Sequence, residues 1–451
     1  MNGLRLSSFG LRGFVGESLT PEVVMDFATA FGTFTDGGLV LVGRDTRLSS
    51  PMVQASVIAG LMAAGCEVLD LGICPTPILQ FTVPRRKAAG AIAISGGHMR
   101  TGWNALTLIS ADGGFVDPVS GEAVLDVYHA RDFRRADWQH LGTATKIDDF
   151  APPYFTALEE HLDVAAIRRA NLTVVIDVAN GAGCRYLEPF AQRLGFRLVA
   201  VNAEESGYMA RDPEPRPRNA RQVASIMPLA NAHAGFVTSS DLGRVSLVAE
   251  DCETASEEYT FPLVADHVLA RTPGTVVANC CTTRTVDDIA HTHGCRIVKA
   301  AVGQAFVIST LTDEQGAVGG EGNGSVAVPR FSRAFDGLLT IGLVLEDLAQ
   351  RGGTLSQRLR ELPRYHIVKR QVYGEPRHCY SALDSLHRDT EWATGATLDS
   401  TDGLRADWVD GWVHVRASRT EPMVRIIAES RFRSQVEARV ADIARRLERE
   451  L

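Results

Sequence analysis

Gly90-Ala91-Ile92-Ala93-Ile94-Ser95-Gly96-Gly97-His98-Met99-Arg100-Thr101-Gly102-Trp103-Asn104 is the stretch on which the reading of this chain turns. The apolar run Ala91 to Ile94 predicts a buried strand. Ser-Gly-Gly then breaks it, because no regular element holds a glycine pair well. His98, Arg100, Trp103 and Asn104 follow at once. A buried strand that opens through a glycine turn onto polar and aromatic side chains is a usual way to floor a site. Taken alone, the same residues describe a plain strand-to-loop connection with a satisfied histidine equally well.

Outward from this stretch the chain alternates strands and helices. Thr20-Pro21 reads as a helix cap followed by proline at the first helical position. Gly38 to Val42 predicts a strand running into Gly43-Arg44-Asp45-Thr46-Arg47-Leu48-Ser49-Ser50-Pro51, a polar turn that starts a helix over 51–65. Glu67 to Leu71 is a further strand, and Cys74-Pro75-Thr76-Pro77 opens another helix. Residues 4–13 read as a strand followed by Arg12 between Gly10 and Gly13. The pattern loosens over 115–150, then resumes with a strand over Ala170–Val178, a helix near 188–194 and a strand over 196–201. A third block repeats it with strands over 274–279 and 295–299 around a helix near 285–292. Such alternation implies parallel βαβ units, and three similar blocks imply an internal repeat. From about Pro363 the pattern changes to a hairpin on Asp410-Gly411, a strand over 424–429 and an Arg/Glu-rich helix to the end.

Length and composition bound the function. At 451 residues there is room for two to four domains. A net charge of −8 argues against a broad nucleic-acid surface. No apolar run approaches the roughly 20 residues that span a bilayer, and Met1-Asn2-Gly3-Leu4-Arg5 carries no signal core, so a cytoplasmic location is expected. The eight cysteines form no Cys-x-x-Cys pair. They are expected to be reduced core residues, and no structural zinc is expected.

Four further stretches carry chemistry. Thr238-Ser239-Ser240-Asp241-Leu242-Gly243-Arg244 is a polar loop after the strand 234–237. Gly319-Gly320-Glu321-Gly322-Asn323-Gly324 lets a backbone approach a ligand closely. Arg416-Ala417-Ser418-Arg419-Thr420-Glu421-Pro422-Met423-Val424-Arg425 offers arginines and hydroxyls suited to an oxyanion. With the Gly43–Pro51 turn and the Ser95–Asn104 loop, these resemble the motifs of the α-D-phosphohexomutase family: phosphoglucomutase, phosphomannomutase and phosphoglucosamine mutase.

The resemblance covers essentially the whole chain. It implies an α/β fold of four domains around a central cleft, three related α/β domains and a smaller α+β C-terminal domain. The limits expected are residues 1–145, 146–255, 256–362 and 363–451. In the family the first loop reads Thr-Ala-Ser-His-Asn-Pro, and its serine carries the phosphoryl group. Laid on that pattern, Gly97 takes the nucleophile's place, Thr107 that of a lysine, and His98 and Asn104 match. Arg12 corresponds to an arginine facing the cleft. The family's metal loop, Asp-Gly-Asp-Gly-Asp-Arg, holds Mg²⁺; here its carboxylate positions are Ser239, Asp241 and Gly243, with Arg244 on the arginine. Glu321 and Asn323 fall on residues that contact sugar hydroxyls. Arg416, Ser418, Thr420 and Arg425 fall on those that hold the non-transferred phosphate, with Arg419 where the family has glycine.

Phosphoryl transfer of this kind needs a nucleophile, a dication and an acid/base. With Gly97, Thr107 and one metal carboxylate of three, the expectation is a hexose-phosphate binder with weak Mg²⁺ affinity and no phosphoserine-dependent mutase activity. It would act as a sensor, a homodimer or the partner of an active paralogue. Two alternatives stand beside it: a repurposed enzyme using His98, Asp241 and the arginines, or an active mutase moving phosphate between the 1 and 6 positions with Ser95 as a shifted nucleophile.

Overall fold

The computed structural model describes residues 3–418 and 422–450. Gly90–Ile94 is a strand with every residue buried. It pairs in parallel with Val40–Arg44 and antiparallel with Trp103–Ser110 in a seven-stranded sheet. Val40–Arg44 pairs in parallel with Val68–Ile73 on its other side. Burial on both faces explains why these strands read as continuous apolar runs rather than alternating ones.

The same order recurs twice. In the second sheet Thr173–Asp177 lies between Arg197–Val201 and Ala234–Thr238, both parallel to it, and Val245–Ala249 closes antiparallel. In the third, Val276–Asn279 lies between Ile297–Ala300 and Val318–Glu321, with Ser325–Ala327 antiparallel. In each repeat the first strand is flanked by the second and third, and the fourth returns as a hairpin on the third. The three hairpin turns are therefore equivalent positions, and they are residues 95–102, 239–244 and 322–324. The repeat itself brings the three site loops to corresponding strand ends of their sheets.

The fourth sheet is antiparallel throughout, in the order His366–Tyr373, Met423–Ser430, Gly411–Ala417, Leu404–Trp408, Thr397–Asp399. Helices Pro376–Arg388 and Arg433–Glu448 pack on it, burying Cys379, Leu386, Val440 and Ile443 against Val413, Val415 and Ile426. One apolar core runs through the first three domains, including Leu41 and Phe81, Tyr154 and Phe236, and Phe261 and Leu339. The fourth domain has its own core. Polar contacts join it to the third, among them Arg284 with Asp407 at 2.9 Å and Lys369 with Glu258 at 2.7 Å. The chain is α/β, with three related α/β domains and a smaller α+β one.

Three local readings need correction. Arg12 follows the strand Arg5–Ser7, as read, but sits inside a second one, Gly10–Phe14, paired with Arg5 and with Ala105. The irregular stretch 115–150 contains a helix, Pro118–Ala130, capped by the Asp117 carboxylate. It also contains an edge strand, Ala144–Lys146, on the first sheet. The C-terminal hairpin turns at Val409-Asp410, and Gly411 already belongs to the return strand.

Asn104 is fully buried. Its amide donates to Ser49 Oγ at 3.0 Å and Ser50 Oγ at 3.1 Å, joining the Ser95–Asn104 stretch to the start of helix Ser50–Ala63. Asn104→Ala removes the donations to the half-buried Ser49 hydroxyl and to the buried Ser50 hydroxyl, which keeps its bond to Asp45, and is expected to cost about 1–2 kcal/mol. The urea midpoint of the first unfolding transition measures this; an unchanged midpoint contradicts it.

Candidate active site

The first loop is held by a buried carboxylate. Asp45, just past strand Val40–Arg44, accepts from Ser50 Oγ at 2.5 Å, Ser95 Oγ at 2.9 Å and the Gly96 amide at 3.2 Å. Arg47 pairs with Asp45 at 3.0 Å and reaches across to the carbonyls of Met99 at 2.8 Å and Arg100 at 3.3 Å. Gly96 is required here, since a Cβ on it would fall 2.3 Å from the Arg47 guanidinium carbon. The Gly-Arg-Asp-Thr-Arg motif thus acts as a clamp on the loop. Sequence reasoning noted the motif but gave Asp45 and Arg47 no role. A charged pair inside a turn that closes an apolar strand is the signal that points to one.

Gly97 is left-handed, with φ of +52°. Its amide donates to Ser95 Oγ at 2.9 Å, and its carbonyl accepts from Ser240 Oγ at 2.7 Å. A Cβ built on it would lie 3.0 Å from Asp241 Oδ2. The turn of the first repeat therefore meets the turn of the second at Gly97 and Asp241.

In the second turn, Asp241 Oδ1 accepts from Ser239 Oγ at 2.5 Å and the Gly243 amide at 3.1 Å. Ser239 Oγ in turn accepts the Arg244 amide at 3.1 Å. Leu242 adopts φ of +62°, and its carbonyl accepts the Gly337 amide at 2.7 Å, fixing the loop to the third domain. His98 stands among arginines. Arg244 most of all, then burial and Arg12, Arg216 and Arg47, hold its pKa well below the ordinary value, so the ring is neutral at neutral pH. Ser95, Thr107, Asp241 and Gly243 line one small cavity with Thr76, Gln80 and Gln304. The larger cavity, about 340 Å³ between Glu258, Thr283, Tyr365 and Glu429, lies between the third and fourth domains and holds none of these loop residues.

Glu321 ends strand Val318–Glu321 and is buried. Its Oε1 accepts from Asn279 at 2.9 Å and from the Gly303 amide at 3.2 Å, and its Oε2 accepts from Asn323 at 2.8 Å. In the fourth domain Arg416 and Arg425 are directly opposite on neighbouring strands. Like charges so placed repel, and an anion between them relieves the repulsion. Arg416 also lies 3.4 Å from Asp402, whose carboxylate accepts the Val302 amide of the third domain at 2.9 Å. The Ser418 amide donates to the Met423 carbonyl at 2.9 Å. Thr420 and Arg419 lie outside the described residues.

Models of the phosphoglucomutase/phosphomannomutase family match in four parts: α/β/α domain I over residues 5–135, domain II over 152–252, domain III over 256–365, and the C-terminal domain over 381–446. The phosphoglucomutase/phosphomannomutase of Thermococcus kodakarensis is 34% identical over 438 residues, 95% of each chain. A probable phosphoglucosamine mutase of Methanopyrus kandleri is 30% identical over 434 residues, 95% of this chain and 94% of its own. Among solved structures, a family protein of Burkholderia thailandensis superposes with a TM-score of 0.87 at 24% identity, covering 99% of this chain and 98% of that one. The Aspergillus fumigatus N-acetylphosphoglucosamine mutase, solved with GlcNAc-6P and magnesium, does so with 0.65 at 12% identity, over 99% of this chain and 96% of that one. Three repeats that present their turns together, a fourth domain with facing arginines, and matches along the whole chain have one explanation: the protein belongs to the phosphoglucomutase/phosphomannomutase family of phosphohexomutases.

Proposed function

We propose that the chain binds a hexose phosphate in the central cleft and does not pass the phosphoryl group through a phosphoserine. It acts as a non-catalytic cytoplasmic binder, a sensor or the partner subunit of an active mutase. Among the described residues no helix is long and apolar enough to cross a membrane. The observation that carries the reading is the meeting of Gly97 with Asp241. At the position that the family pattern gives to the nucleophile stands a residue with no atom to accept a phosphoryl group. What faces it is a single carboxylate, with Oδ1 already accepting from Ser239 and the Gly243 amide.

The residues of the second turn do not fit Mg²⁺. That ion is reluctant to dehydrate and wants anionic oxygens in a regular shell. Ser239 brings a neutral hydroxyl, Gly243 no side chain, and only Asp241 a charge. Binding elements are better kept. On the family pattern Glu321 and Asn323 would meet sugar hydroxyls, and Arg416, Ser418 and Arg425, with Thr420 outside the described residues, would hold the non-transferred phosphate. Arg12 and Arg244 bring positive charge beside the neutral His98.

Removing one charge-assisted contact to phosphate should cost about 1.5–3 kcal/mol. Calorimetry with glucose, mannose and glucosamine 6-phosphates should therefore show binding by the parent and about ten- to hundredfold weakening in Arg425→Ala. Equal affinity in the two proteins, or no binding by the parent, contradicts the proposal.

One observation favours a second reading, an active 1,6-phosphomutase with a shifted nucleophile. Ser95 lines the same cavity as Asp241, and its hydroxyl donates to a carboxylate, Asp45. Against this, Ser95 Oγ also accepts the Gly97 amide, and Asp45 is shared with Arg47, Ser50 and Gly96. The hydroxyl serves the turn.

A further inference from the structure

Cys280 and Cys281 follow strand Val276–Asn279 in the third domain, and His414 lies on strand Gly411–Ala417 in the fourth. Cys281 Sγ is 3.1 Å from His414 Nδ1, and Cys280 Sγ is 3.6 Å from His414 Nε2. One donor atom from each of the three residues lies within 4.8 Å of the other two. Among the described residues this is the one group of three or more His, Cys, Asp or Glu side chains close enough to hold a metal ion. Cys280 and His414 are buried, and Cys281 is partly open, which gives a route in.

We propose that Cys280, Cys281 and His414 form a site for a thiophilic divalent cation of the Zn²⁺ type, bridging the third and fourth domains.

Donor chemistry and spacing support it. With bonds of about 2.3 Å to sulfur and 2.0 Å to nitrogen, a tetrahedral zinc ion sets its sulfur and nitrogen ligands about 3.5 Å apart. The imidazole is also pre-oriented. His414 Nε2 donates to the Asp402 carbonyl at 2.5 Å, which leaves Nδ1 as the lone pair facing Cys281. A ligating histidine whose other nitrogen is bound to a carbonyl is the usual outer-shell arrangement of a metal site. The cation accepts lone pairs from two thiolates and one imidazole, both thiol protons leave to solvent, and a water completes the fourth position. No redox change is involved.

The site lies between the two ligand loops. The Cys281 amide donates to Asn279 Oδ1 at 2.9 Å, and Asn279 holds Glu321. On the other side Asp402 joins His414 to Arg416. An ion here ties to one another two domains that otherwise have separate apolar cores.

The test uses the full chain, reduced and freed of metal. Zn²⁺ titrated against a chromophoric chelator should bind at one equivalent, with Mg²⁺ failing to compete. Co²⁺ in its place should show thiolate charge-transfer absorption. Cys281→Ser and His414→Gln should each weaken Zn²⁺ at least about a hundredfold, whereas Cys379→Ser should leave it unchanged. On the unmodified protein, Zn²⁺ should protect Cys280 and Cys281 from alkylation mapped by mass spectrometry, a readout independent of any variant's folding. Absence of Zn²⁺ binding, binding unaltered in both ligand variants, or binding without protection of the two cysteines overturns the proposal.

Discussion

Replacing Ser239 and Gly243 together by aspartate is expected to create a Mg²⁺ site, tightening the ion by at least about a hundredfold. The geometry is favourable. A Cβ on Gly243 would lie 3.4 Å and 3.5 Å from the two Asp241 oxygens, and Ser239 Oγ is already 2.5 Å from one of them. Three carboxylates would then converge on one point. Without the ion they repel, so the apo double variant should be less stable than the parent. Saturating Mg²⁺ should recover it: at a hundred times Kd, binding to the folded state adds about 2.7 kcal/mol. Thermal unfolding with and without Mg²⁺ reads both effects. A parent that itself binds Mg²⁺ at micromolar concentration, or a double variant that Mg²⁺ does not stabilise, contradicts the reading of the loop.

The second large effect concerns transfer. Loss of a nucleophile alone lowers turnover on the order of 10⁶-fold in a well-studied hydrolase, and residues acting as a unit are not additive. Gly97→Ser should therefore stay at background. A serine there inherits a left-handed backbone that costs about 1 kcal/mol. It also sits against the lone Asp241 carboxylate, with no dication to offset phosphoryl charge. Thr107, which lines the same cavity, supplies no acid or base. Turnover should emerge only when Gly97→Ser, Ser239→Asp, Gly243→Asp and Thr107→Lys are combined. Conversion of hexose 6-phosphates to 1-phosphates, with bisphosphate and Mg²⁺ present, measures it. Rescue by Gly97→Ser alone would show that the dication and lysine positions are not needed.

Much of this arrangement is legible in the sequence because it is local. Apolar runs buried on both faces, such as Ala91 to Ile94, have one secondary structure open to them, and the first and second site loops follow such runs directly; the third follows Val318–Glu321, a strand whose Gly319, Gly320 and Glu321 read in the sequence as part of the glycine-rich loop. The rest depends on partners far along the chain. Asp45 and Arg47 act on residues about fifty positions away, so their motif is visible but its role is not. Helix Pro118–Ala130 buries only Gly121, Val124 and Leu125, too narrow a stripe to show as a helical period, although Asp117-Pro118 is a capping signal. Strand Ala144–Lys146 is exposed throughout and joins its sheet by backbone pairing alone. Cys280 and Cys281 lie more than 130 residues from His414, and no spacing rule connects them.

The most direct measurement is phosphorus NMR of the unmodified chain with glucose, mannose and glucosamine 6-phosphates, a hexose bisphosphate and Mg²⁺. The expected result is binding without formation of any 1-phosphate, in the parent and in Ser95→Ala alike. Clear turnover by the parent that disappears in Ser95→Ala would contradict it and establish an active mutase with a shifted nucleophile.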